Sequence, residues 1–188
     1  MRMTALLLAT TLICGCATRP VAPREYLDEQ TAATITVVAE PVIFVTQTPR
    51  NFDGTARADV SRDYIELYGL DVNRMGRHQQ YIAVMKWQAP KETGNELPVL
   101  SLQIGGSTLE LQATGDDPRA LGLAQPVSGT ASKSSSWWYF PTDTSTLRRI
   151  ASARELAATL TVSTQPFDYV LFSDGRAQLS ALTEGLAP

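Results

Sequence analysis

From Ala33 onward the dominant spacing of apolar side chains is two residues, which is the period of a strand half-buried in a sheet. Ile35, Val37 and Ala39 alternate with Thr34, Thr36 and Val38, and Val42-Ile43-Phe44-Val45 follows at once, rich in β-formers. Pro41 lies between these runs and lacks the N–H a ladder needs, so it marks an edge, bulge or kink. Residues 63–68 (DYIELY) and 81–87 (YIAVMKW) can pair as a hairpin with a long loop that contains the turn-rich stretch 73–78. Leu100, Leu102 and Ile104 face Leu109 and Leu111 across Gly105-Gly106, whose freedom to take positive φ suits a tight turn.

The second half of the chain continues the pattern. A polar connector over 116–133, with a short helical turn after Pro118, leads into a strand carrying Trp137-Trp138-Tyr139-Phe140. Asp143 or Thr144 can cap a short helix over 147–153 with Arg148, Arg149 and Arg154 outward. Residues 160–162 read as a strand, and 169–172 and 177–179 as a hairpin about Asp174-Gly175. Strands this short and this regularly spaced predict a mainly β fold: one antiparallel, sandwich-like domain with one or two short helices.

The N-terminus carries an address. Arg2 is followed by the apolar run 5–13 (ALLLATTLI), too short to span a bilayer, and the run closes on Ile13-Cys14-Gly15-Cys16. This resembles the lipobox of bacterial lipoprotein signal peptides, in which small residues precede a cysteine that is diacylated and becomes the new N-terminus. Gly15 precedes Cys16 whereas bulky Ile13 precedes Cys14, so Cys16 matches the lipidation position. Ala17 stands where an Asp would retain a lipoprotein in the inner membrane, and the resemblance therefore implies the outer membrane, with the chain facing the periplasm. Several acyl chains give stable anchoring where one does not. The expected organisation is a signal peptide at 1–15, a lipidated N-terminus and tether at 16–32, and a β-rich domain at 33–188, with at most one helical turn near residues 25–30 of the tether.

Composition removes several classes of function. Sixteen Lys and Arg against nineteen Asp and Glu leave a net charge of −3, no footprint for nucleic acid. Both cysteines lie in the lipobox, so the domain is expected to have no internal disulfide and to rest on core burial, for which a chain of 44% hydrophobic residues suffices. With His78 the only histidine, a zinc site of His and Cys is excluded, and no cofactor is expected. There is no G-x-S-x-G elbow, S-x-x-K motif, P-loop or dinucleotide fingerprint. Asp63 and Glu66, three apart, fall on opposite faces of a strand and make a poor carboxylate pair. The chain reads as a non-enzyme.

Three features can bind. Trp137 and Tyr139 alternate with Trp138 and Phe140, so one aromatic face can be core while the other stacks on sugar rings or anchors a partner. Tyr64, Glu66 and Tyr68 share a face opposite Ile65 and Leu67. Arg74, Arg77 and His78 cluster in one loop that can meet phosphate or anionic head groups. Residues 24–36 (REYLDEQTAATIT), followed by 71–76 (DVNRMG), resemble a group of small proteobacterial lipoproteins of unknown function, a likeness that transfers no functional residue. The expected role is interaction or assembly with an envelope protein; the alternative is binding of cell-wall glycan or a small ligand on the aromatic surface.

Overall fold

The computed structural model describes residues 21–46, 63–87, 96–125, 127 and 135–186. The expectations for the leader at 1–15, for Cys16 and for the connector at 128–133 lie outside them. The described elements are strands β1 (Arg24–Asp28), β2 (Ala33–Val37), β3 (Val42–Thr46), β4 (Tyr64–Arg74), β5 (Arg77–Trp87), β6 (Val99–Ile104) and β7 (Ser107–Gln112), then β8 (Ser135–Thr142), helix α1 (Thr144–Ala151), β9 (Leu156–Val162), β10 (Gln165–Ser173) and helix α2 (Arg176–Gly185), with a short 3-10 turn at Pro118–Leu121. The fold is mainly β, with ten antiparallel strands joined in one sheet and two short helices. No described helix is long and apolar enough to cross a membrane.

Strand β4 organises the sheet. One of its edges pairs with β5 along its whole length, from Ile65↔Lys86 to Arg74↔Arg77. The other edge is shared end to end: β3 takes Tyr64 to Leu67, and β2 takes Leu70 to Asn73. Between the two, Val38 N–H donates to Gly69 O at 3.1 Å, and the chain then breaks step at Glu40-Pro41, the kink expected from the proline. From β3 the sheet runs on through β10, β9 and β6 to β7. The chain just past β7 then bonds to β8: Thr114 N–H donates to Tyr139 O at 2.7 Å and Tyr139 N–H to Gly115 O at 3.0 Å. Since β8 pairs with β5, the sheet curls back on itself and its inner faces meet, which is how a single sheet delivers sandwich-like packing.

Register decides what lies inside. Ile65 and Leu67 of β4, Ile82 and Val84 of β5, Trp138 and Phe140 of β8, Phe44, Leu100 and Leu160 all lie on the inner face and are buried. The two helices pack on that face at Gly69, where an added Cβ would overlap Leu179 and stand 3.2 Å from Leu182 and 3.6 Å from Leu147. Asp143 caps α1 by accepting the Thr146 N–H at 2.7 Å, and the Ser145 hydroxyl and that N–H hold its carboxyl below the usual range. Arg148 and Arg149 point outward as expected, while Leu147 and Ile150 are buried.

The opposite face of β4 is covered too. Ile35, Val37, Leu70, Val72, Tyr81 and Tyr139 are buried together with Leu121, Leu123 and Val127 of the connector. Polar ties fix that cover. Ala124 N–H donates to Asp28 Oδ2 at 2.7 Å, Tyr26 O–H donates to Val127 O at 3.2 Å, and the Arg74 guanidinium donates to the carbonyls of Leu121 and Gly122. The helical turn expected after Pro118 is present, with Asp117 accepting the Arg119 N–H at 2.8 Å.

Three local expectations are corrected. Residues 24–28, assigned to a tether with a helical turn, form β1 against β2, because Tyr26 and Asp28 turn inward to hold the connector while Leu27 faces solvent. No long loop spans 73–78: Met75 and Gly76 take φ of 52° and 82°, a two-residue hairpin turn that lets β4 and β5 run to eleven residues each. Residues 177–179 belong to α2 and not to a hairpin. Asp174 accepts the Arg176 N–H at 3.1 Å and pairs with its guanidinium at 2.6 Å, so Asp174-Gly175 opens a helix.

Two predictions follow from this packing. A Cβ on Gly175 would collide with the backbone carbonyl of Pro41, which cannot move without disturbing the β2–β3 break. Gly175→Ala should therefore destabilise the domain by about 1–3 kcal/mol in urea unfolding, and a loss within measurement error would show that α2 is not seated there. The second concerns acid. The Ala124 N–H, then further donors at Gln30 and Thr31, hold the Asp28 carboxyl below its ordinary range. Its contribution is present above the unfolded value of about 3.9 and is lost as pH falls through the folded value. The melting-temperature gap between wild type and Asp28→Asn should be wide near neutrality and narrow in acid; a gap independent of pH refutes the role.

Candidate functional site

On the outward face of β4, Tyr64, Glu66 and Tyr68 alternate with the inward Ile65 and Leu67, as the sequence spacing predicts. The register then sets their neighbours. Glu66 lies opposite Met85 of β5, which lies opposite Trp137 of β8, and Tyr68 lies opposite Ala83. Ala83 is small, so the Tyr68 and Trp137 rings meet across β5 with centroids 5.5 Å apart and planes tilted by 34°. At the end of β5, Trp87 turns back over the same face and its Nε1–H donates to Glu66 Oε1 at 2.9 Å. Tyr68 O–H donates to the other oxygen, Oε2. One carboxylate is thus gripped by two aromatic donors, one on each oxygen.

The aromatic surface extends across β3 to β10. Tyr64 meets Phe172 edge to face, with centroids 5.4 Å apart and an interplanar angle of 74°. Phe172 sits where the pairing of β10 with β3 slips between Leu171 and Ser173, and such an irregularity re-aims a side chain. Phe172 is 57% exposed and Trp87 40%, whereas Tyr68 is nearly covered. Burial, then the hydrogen bond and charge of Glu66, push the Tyr68 phenol well above its ordinary range, against the opposing charge of Arg24.

The other sequence candidates divide. Trp138 and Tyr139, expected to offer an alternating aromatic platform with Trp137, are 7% and 1% exposed and belong to the core. Trp138 fills the curled sheet, and Tyr139 lies where the chain after β7 bonds to β8. Only Trp137 of that run reaches the outer patch. Arg74, Arg77 and His78 form no shared anion site. Arg74 is spent on the Leu121 and Gly122 carbonyls and on Gln79, and His78 turns to the buried Asp71, Nδ1 to Oδ2 2.8 Å, while Arg77 is exposed. Asp71 also accepts from Gln80 Nε2 at 2.8 Å.

Sequence reasoning missed Trp87 and Phe172. Trp87 was in reach, since Tyr81, Ala83, Met85 and Trp87 share one face of a period-two run. Phe172 was not, because its direction depends on the irregular pairing with β3. Among the described residues no three His, Cys, Asp or Glu side chains group as metal ligands. No protein-family model matches the chain, and comparisons with curated proteins and with solved structures find no match.

A fixed carboxylate ringed by partly exposed aromatics can accept hydrogen bonds, stack and bury against a complementary surface. The donor role of Tyr68 is measurable. Because its phenol is raised in the folded state, the stabilisation is complete below the unfolded value of about 10 and is lost as pH rises through the folded value. In an alkaline ultraviolet titration one tyrosine should ionise later in wild type than in Glu66→Gln; identical curves would refute the Tyr68–Glu66 bond.

Proposed function

We propose that this protein is a lipid-anchored envelope lipoprotein, acylated at Cys16 and held at the periplasmic side of the outer membrane, that works without catalysis by docking an envelope protein on the outward aromatic face of β4, β5, β8 and β10. One observation carries the docking reading: Tyr68 and Trp87 grip Glu66, Trp137 lies against Tyr68 and Phe172 against Tyr64, with Trp87 and Phe172 open to solvent. Tyrosine and tryptophan, large amphipathic rings of limited rotamer freedom, are side chains that anchor protein interfaces, because each buries much area and carries a polar handle. Two neutral donors hold the Glu66 carboxylate before any partner arrives, so little side-chain entropy remains to be lost on docking. The address rests on the lipobox residues Ile13-Cys14-Gly15-Cys16.

The test is crosslinking in intact cells, followed by mild-detergent purification of the mature protein and mass spectrometry. The expected result is an acylated N-terminal Cys16 and one stoichiometric envelope protein that is lost in Trp87→Ala. A free, unmodified N-terminus would overturn the anchor. A partner retained by Trp87→Ala would overturn the docking face, and retention on cell-wall glycan in place of any protein would transfer the same aromatic surface to a carbohydrate.

A further inference from the structure

The carboxylates of this protein differ in how their charge is met. Asp71 is buried and faces His78 at 2.8 Å, and Asp174 faces Arg176 at 2.6 Å. Glu66 is half-buried beside aromatic rings, yet among the described residues its hydrogen-bond donors are neutral, the Trp87 indole and the Tyr68 hydroxyl. Arg24 lies close enough for its charge to act on Tyr68, but no described cation pairs with Glu66. A charge drawn out of water costs free energy unless a counter-charge or sufficient hydrogen bonds compensate it. Ring faces add to the attraction, since their quadrupoles present negative potential to a cation lying over them.

We propose, building on the docking reading above, that the Glu66 cluster is the receptor for an arginine side chain of the partner protein. The two neutral donors take one acceptor position on each oxygen, and a carboxylate has about four. The remaining positions suit the paired N–H groups of a guanidinium, and the guanidinium plane can stack on an adjacent ring. Trp87, bonded to Glu66 and 40% exposed, is the ring open to receive it. A neutral sugar could use the rings and the free acceptor positions, but it would leave the charge of Glu66 uncompensated. A lysine would compensate the charge without the fork or the stacking.

The probe is Nα-acetyl-arginine methylamide, titrated into the full mature chain while the indole N–H resonance of Trp87 is followed by NMR. Its citrulline counterpart, equal in shape but neutral, is the control. The expected result is a saturable shift with the arginine probe, at least about tenfold weaker binding of the citrulline probe, and similar weakening in Glu66→Gln. Should Glu66→Gln lose its folded spectrum, Tyr68→Phe takes its place, since it keeps the carboxylate and the Trp87 indole and removes one donor, and it should weaken binding several-fold. Equal binding of the two probes, unchanged binding in Glu66→Gln, or a response to phosphatidylcholine vesicles in place of the arginine probe would each overturn the proposal. The two readings fail separately. A partner that depends on Trp87 but not on Glu66 leaves docking standing without the arginine receptor, whereas a partner indifferent to Trp87 removes the docking reading itself.

Discussion

The fold answers to one constraint: the central strand β4 is buried on both faces over Leu67 to Val72 and must be covered twice. The inner cover is the curled sheet and the two helices, and Gly69 is the point of contact because a side chain there would occupy the space of Leu179. The outer cover is the connector, whose Leu121, Leu123 and Val127 are buried in the same core as Leu70 and Val72. Neither cover is made of regular strand pairing alone. The helices are seated through the gap at Glu40-Pro41 where β2 hands β4 over to β3, and Gly175 fits against that backbone. The connector is held by Asp28, Tyr26 and Arg74, side chains whose polar ends take up carbonyls and N–H groups that would otherwise be buried without partners.

What could be read from sequence was what neighbouring residues decide among themselves. The hairpin of β6 and β7 depends on two glycines, and both take positive φ, 54° at Gly105 and 86° at Gly106. The cap at Asp143 and the turn at Pro118 are likewise settled within a few residues. What could not be read was what distant segments impose. Strand β1 breaks the apolar-in rule, because Leu27 is 58% exposed while Asp28 is buried to receive a backbone N–H nearly a hundred residues away. Asp174-Gly175 has the composition of a hairpin turn, and the helix after it is decided by Leu179 and Leu182 packing at Gly69. The aromatic run 137–140 alternates cleanly, but a sheet covered on both sides buries Trp138 and Tyr139 on opposite faces, so alternation carried no information about exposure there.

The same constraint explains where an open face can exist. The outward side of β4 changes character along its length: at Leu70 and Val72 it is core beneath the connector, whereas at Tyr64 and Glu66 it is only partly covered. A purely apolar strand would leave that uncovered half as an adhesive surface, and a purely polar one would be an ordinary wet sheet face. This chain places rings there and fixes them to a carboxylate. Trp87 and Tyr68 approach Glu66 from two directions, Trp137 is set against Tyr68 through the small Ala83, and Tyr64 is set against Phe172. The rings are held by hydrogen bonds and mutual packing on a long two-stranded ribbon, so the surface is ordered before it meets anything. In general, order of that kind lowers the entropy a surface loses on association, whereas a loose apolar patch accepts any apolar surface. A carboxylate that orients its aromatic neighbours, with no cation paired to it among the described residues, is what distinguishes this stretch of sheet from the half that the connector covers.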